Sequence, residues 1–133
     1  MLFRPEYQIT KQLEGKTEKL WQLMDAYLPR DPKSIQKSIV THIEYTLART
    51  RFDLDKHELY QGAALSVRDR LLEAWNDTQV NIKINDPKRI YYLSIEFLLG
   101  RLLQNALINL DLEEKYKEAL NEFGDKLEEV YDK

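Results

Sequence analysis

No cysteine occurs in the 133 residues, so neither a disulfide framework nor a thiolate metal site can form. Only four glycines are present. They stand apart at positions 15, 62, 100 and 124, so there is no glycine-rich loop to cradle a phosphate and no GxSxG nucleophile elbow. Basic residues are not in excess. Lys and Arg number 20 against 23 Asp and Glu, giving a net charge of −3, where a nucleic-acid binder would carry a basic face. The opening "MLFRPEYQIT" lacks the apolar core of a signal peptide, and no run approaches a membrane span. A cytoplasmic protein is the default expectation. Histidine is scarce, at two residues. His57-Glu58 begins like a zinc-protease HExxH, but Gln61 stands where the second ligand belongs. His42, beside an apolar stripe, reads as a packing or interface residue.

What is present is 43% hydrophobic and 32% charged, the balance of an ordered globular chain with a modest core. The acid is concentrated at one end. Residues 111 to 133 hold nine acids and four bases, while residues 1 to 110 hold fourteen acids and sixteen bases. A solvated helical face accounts for that tail. The pattern predicts a mainly α chain. Residues 1–15 show no period and are read as a mobile arm ahead of a unit over 16–133. Leu20, Trp21, Met24 and Leu28 predict a helix over 17–28, stopped by Pro29. Asp31-Pro32, a cap followed by proline in the first turn, opens a second over 32–50 with Ile35, Ile39, Ile43 and Leu47 on its buried stripe. "RTRFDLD" is a connecting loop. Asp55 and Glu58 form a capping-box pair for a third helix over 56–82, with Tyr60, Ala64, Val67, Leu71, Ala74 and Thr78 on one side.

"NDPK" is a turn, and "RIYYLS" over 89–94 has the β-branched and aromatic content of a short buried strand. One strand cannot satisfy its own backbone, and no second strand is legible. Helices are expected over 101–110, with Leu102, Leu103, Ala106, Leu107 and Leu110 as the apolar face, and over 112–123 and 125–132, parted at Gly124. Glu96 sits inside the most apolar stretch. A carboxylate there must be paired, hydrogen-bonded or protonated. Arg89 and Arg101 are the local partners for a structural ion pair, and the alternative is an acid that lines a polar site.

The stretch "DPKRIYYLSIEFLLGRLLQNALINL" resembles the glycogen (α-glucan) phosphorylases. The likeness rests on Asp86, Pro87, Lys88, Arg89, Tyr91, Tyr92, Leu93, Ser94, Glu96, Phe97, Gly100, Arg101, Leu103, Asn105 and Asn109. Upstream, Val67, Arg68, Asp69, Leu71, Trp75, Thr78 and Gln79 are similar to the family's VRD-x-L-x-x-x-W-x-x-TQ helix, and "HIEYTLART" to the helix before the loop that caps the partner subunit. The resemblance runs from about residue 35 to the end.

It implies the amino-terminal piece of an α/β fold with two Rossmann-like domains (the GT-B type), whose sheet takes in the "RIYYLS" strand. Such enzymes release glucose 1-phosphate from α-1,4-glucan ends by phosphorolysis, with pyridoxal 5'-phosphate held on a lysine. The residues that bind cofactor and phosphate lie beyond this chain in the family. The chain alone is therefore expected to be inactive and to bind no cofactor, and no catalytic residue is assigned apart from Glu96, which matches an acid near the cleft. The resemblance places an effector site at Trp75 and Gln79, and a subunit cap at Arg51, Phe52, Asp53, Leu54, Asp55 and Lys56. Lys83 stands where the family stacks a tyrosine on adenine, and Asp77 where it has an arginine, so AMP activation is expected to be weak or absent. The expected partner is a second copy, as a dimer, or the remainder of the enzyme. Glucan and phosphate would bind only in the full enzyme. The unfinished "EEVYDK" reads as a cut chain. The alternative is a truncated, non-catalytic paralogue that acts as a helical interaction module.

Overall fold

The computed structural model describes residues 27–50, 54–95 and 100–131. The described residues are helical wherever they are regular, and no strand forms among them. Most of the helix expected over 17–28 lies outside them, as does the arm over 1–15, and Tyr27 and Leu28 are not helical.

Helix α1 (Pro32–Thr41) starts as its sequence directs. The extended Asp31 side chain accepts from the Ser34 N–H at 2.9 Å, with Pro32 in the first turn. The Ser34 hydroxyl, then that backbone N–H, hold the Asp31 carboxyl below its usual pKa. Ile35 and Ile39 are fully buried. The helix then widens into a π turn over His42–Thr46, in which the Leu47 N–H reaches back to the His42 carbonyl at 2.9 Å. Ala48 adopts a left-handed conformation, φ 52°, and turns the chain away. The helix expected over 32–50 therefore ends at Thr46, and Leu47 is only half-buried.

Helix α2 (Lys56–Asn85) runs 30 residues, about 45 Å. Its capping box is complete: the Glu58 N–H donates to Asp55 Oδ1 at 2.7 Å and the Asp55 N–H to Glu58 Oε2 at 3.3 Å. The helix stops at Asp86, left-handed at φ 40°, three residues past the end expected from sequence.

Short helices α3 (Leu102–Asn109), α4 (Glu113–Asn121) and α5 (Leu127–Tyr131) follow. Gly124, at φ 87°, lies in the turn between the last two. The core gathers Ile35, Ile39 and Ile43 with Leu59, Ala63 and Val67 of α2, Leu107 of α3, and Leu112, Tyr116, Ala119, Leu120, Leu127 and Val130. Only the first half of α2 takes part. From Leu71 to Lys83 its residues are half-buried or exposed, so the second half of the helix projects from the core.

The core face of α2 also differs from the expected stripe. Leu59, Ala63, Ser66, Val67 and Arg70 are buried, whereas Tyr60 and Ala64 are only half-buried and Leu71 is 40% exposed. The strand expected over 89–94 is absent. Residues 86–95 are irregular, and Ile90, Tyr91, Tyr92 and Leu93 are 77–94% exposed. The physical reason is the missing partner, because a lone extended segment has no ladder to join.

Two tyrosines make the core sensitive to alkali. Burial pushes the Tyr116 hydroxyl above its ordinary 10.0, against the opposing pull of Ser66 and Arg70. Burial, then the Glu113 carboxylate, pushes Tyr131 up further. Each fold-raised pKa favours the neutral phenol, so its stabilisation is full below about pH 10 and is lost as the pH rises beyond it. A thermal melt series from pH 8 to 11.5 should show the midpoint falling above pH 10. The fall should be shallower in Tyr131→Phe, and equal slopes would refute the assignment.

Candidate functional site

Three regions carry the residues singled out in the sequence. The first is the projecting half of α2. Trp75, Gln79 and Lys83 recur every four residues and so share one face. All three are exposed, Trp75 by 58%. Asp77, two residues from both Trp75 and Gln79, falls on the opposite side, where the Tyr27 hydroxyl donates to it. The Leu28 N–H donates to Glu73 Oε1 at 2.8 Å on that same side. The structure therefore brings Trp75, Gln79 and Lys83 together and takes Asp77 out of the set.

The second region is the connection between the π turn and α2. Of its expected cap residues, Arg51, Phe52 and Asp53 lie outside the described residues. Leu54, Asp55 and Lys56 are exposed. Lys56 pairs with Glu129 of α5, which raises the ammonium pKa and lowers that of the carboxyl. Beside this connection a cavity of about 320 Å³ is lined by Val40, Ile43, Leu54, Leu59 and Phe123 together with Asp55, Lys56 and Asp125.

The third is the 86–110 stretch. Glu96 lies outside the described residues, so its pairing is not seen. Arg89 and Arg101 are exposed.

Neither histidine is a ligand in a cluster. His57 is exposed at the start of α2, with Nε2 3.0 Å from Gln61 Nε2. His42 ties the π turn to α2: Nε2 is 2.8 Å from Asp69 Oδ2 and Nδ1 is 3.0 Å from Thr46 Oγ1. Among the described residues no group of three acids or histidines is placed to hold a metal, and no helix is long and apolar enough to cross a membrane.

What sequence reasoning missed is a buried arginine. Arg70 is 2% exposed. Its Nη1 donates to the Ser66 carbonyl at 3.0 Å, to Ser66 Oγ at 2.9 Å and to Tyr116 Oη at 3.3 Å. Its Nη2 donates to the Pro29 carbonyl at 2.8 Å. The guanidinium lies 5.9 Å from the Tyr116 ring centre, within cation–π range. Among the described residues no carboxylate pairs with it and Nε has no partner. The signal was its spacing, since 63, 66, 67 and 70 form one helical face.

A pyridoxal cofactor needs a lysine amine in a sheltered pocket. Every described lysine is exposed, so the described residues do not fit that group.

The fold and these three regions define a helical segment with an apolar, exposed stretch that nothing among the described residues covers. Comparison with known proteins gives its family. No family model matches the chain. Glycogen phosphorylase 2 of Dictyostelium discoideum is 46% identical over 113 residues, covering 85% of this chain and 11% of the relative. Glycogen phosphorylase of Saccharomyces cerevisiae is 39% identical over 130 residues, 88% of the chain and 14% of the relative. The α-glucan phosphorylase H isozyme of Solanum tuberosum is 45% identical over 104 residues, 77% and 12%. By this similarity over most of its length, the chain belongs to the glycogen and α-glucan phosphorylase family, as the counterpart of an amino-terminal segment. It spans 11–14% of the length of these relatives.

Proposed function

We propose that the chain is the amino-terminal dimerisation and regulatory segment of a cytosolic glycogen (α-1,4-glucan) phosphorylase. That enzyme would release glucose 1-phosphate from glucan ends with pyridoxal 5'-phosphate held elsewhere in its fold. The observation that carries the reading is the run Ile90 to Leu93, apolar, 77–94% exposed and without a partner strand among the described residues. An apolar segment of this kind is a template for pairing, and the remaining sheet of a phosphorylase would cover it. In this reading the connection from Arg51 to Lys56 meets the second subunit, the Trp75, Gln79 and Lys83 face receives an effector, and Glu96 lines the approach to the cleft. A lysine in place of the stacking tyrosine weakens any response to AMP.

The intact mass of the native protein, recovered from its own cells, tests this. A species several times larger than the 15.9 kDa of the chain, carrying pyridoxal phosphate, is the expected result. A native species of 15.9 kDa would overturn it and leave an interaction module in its place.

A further inference from the structure

A cleft of about 590 Å³ opens where the segment ahead of α1 passes between α2 and the end of α3. Leu28, Pro29 and Leu110 give it apolar walls, and Arg30, Glu73 and Asp111 bring charge to it. The segment is tied down at each residue. Asp77 accepts from the Tyr27 hydroxyl, Glu73 Oε1 accepts from the Leu28 N–H at 2.8 Å, and the Pro29 carbonyl accepts from Arg70 Nη2 at 2.8 Å. Arg30 completes the series, its Nη1 donating to the Leu110 carbonyl at 3.4 Å. The cleft is therefore preformed, on the side of α2 opposite Trp75, Gln79 and Lys83. Opposite charges line it without meeting. Among the described residues Arg30 pairs with neither acid, and Glu73 Oε2 has no donor.

A simple anion entering the cleft would face two carboxylates, and a simple cation would face the guanidinium. A molecule that carries both signs satisfies all three groups. We infer that this cleft binds a small zwitterion, an amino acid with an apolar side chain. Its carboxylate meets the planar fork of Arg30, its ammonium sits with Glu73 and Asp111, and its side chain lies against Leu28 and Leu110. The site does not depend on the function proposed above. Arg30 and Glu73 are half-buried and Asp111 is exposed, so water screens each charged contact, and losing one weakens binding by about three- to ten-fold.

L-leucine, titrated into the 133-residue chain and followed by backbone amide NMR, is the probe. Saturable shifts at Leu28, Glu73, Leu110 and Asp111, with a Kd of about 1 mM, are the expected result. Two relatives of leucine each lack one charge: isoamylamine has no carboxylate and 4-methylpentanoate has no ammonium. Each should bind about three- to ten-fold more weakly. Arg30→Gln should weaken leucine by a similar factor without weakening isoamylamine. Glu73→Gln retains an oxygen for the Leu28 N–H, and Asp111→Asn retains a residue that tolerates φ 55°. Both should weaken leucine without weakening 4-methylpentanoate, while the amide signals away from the cleft stay in place. The absence of saturable shifts, an analogue that binds as tightly as leucine, or variants that weaken all three probes alike would each overturn the site.

Discussion

Arg70→Ala should be the most damaging single substitution among the described residues, lowering stability by about 3–4 kcal/mol. Three effects add. The Pro29 carbonyl loses its 2.8 Å donor, Tyr116 and Ser66 lose a shared one, and the departed stem leaves a hole between α2 and α4. One effect opposes them: the fold no longer buries a cation with which no carboxylate pairs among the described residues.

That opposition predicts an order. Arg70→Met keeps most of the volume and removes the charge, and should cost about 1 kcal/mol. Arg70→Lys keeps the charge but has no planar fork with which to reach Pro29 and Ser66 together, and should cost about 2 kcal/mol. Urea denaturation of the three variants gives the ranking. Should Arg70→Ala prove no worse than Arg70→Met, the cavity would not be the source of the loss, since both variants give up the same hydrogen bonds.

Gly62→Ala is the second large effect, and it runs against helix propensity. Alanine in mid-helix is ordinarily better than glycine by about 1 kcal/mol. Here an added Cβ would lie 2.7 Å from Ile43 Cγ1 and 3.1 Å from the Ile39 carbonyl oxygen. One neighbour is a fully buried β-branched side chain and the other is backbone, so neither yields cheaply. Overpacking of this kind costs about 1–3 kcal/mol, and a net loss of up to about 2 kcal/mol should remain, or a melting midpoint lower by up to roughly 10 °C. In an Ile43→Ala background the γ carbon that the new Cβ would meet is gone, so the same substitution should be milder there than in the parent chain. An equal loss in both backgrounds would put the cause elsewhere.

These two positions also mark where sequence reading stops. Helix starts were legible because caps are local. Asp31 and Asp55 advertise themselves within four residues, and both cap as their spacing requires. The isoleucines of α1 were legible for the same reason, a 3.6-residue period in one letter class. The core face of α2 was not, because two of its buried members are Ser66 and Arg70, which an apolar pattern discards. Their burial depends on Tyr116, some fifty residues away. The end of α1 was missed because a π turn and a left-handed alanine carry no composition signal. The "RIYYLS" segment shows the opposite failure. Its composition is that of a strand, but a ladder belongs to two segments, and no strand forms among the described residues. In the candidate site, Trp75 and Gln79 fell on one face as their spacing implies, whereas the engagement of Asp77 by Tyr27 could be read only from the fold.

The two halves of α2 are held differently, and that asymmetry has a mechanical consequence. From Asp55 to Arg70 the helix is clamped by the capping box, the close approach at Gly62 and the buried guanidinium. From Leu71 to Asn85 it is a rod of about 22 Å, held on one side by Leu28 at Glu73 and Tyr27 at Asp77. A clamped rod is a lever. A tilt of about 10° at the buried end would sweep the far tip through about 4 Å, so a small rearrangement at the π turn or at Arg70 would arrive magnified at Lys83 and at the segment that follows it.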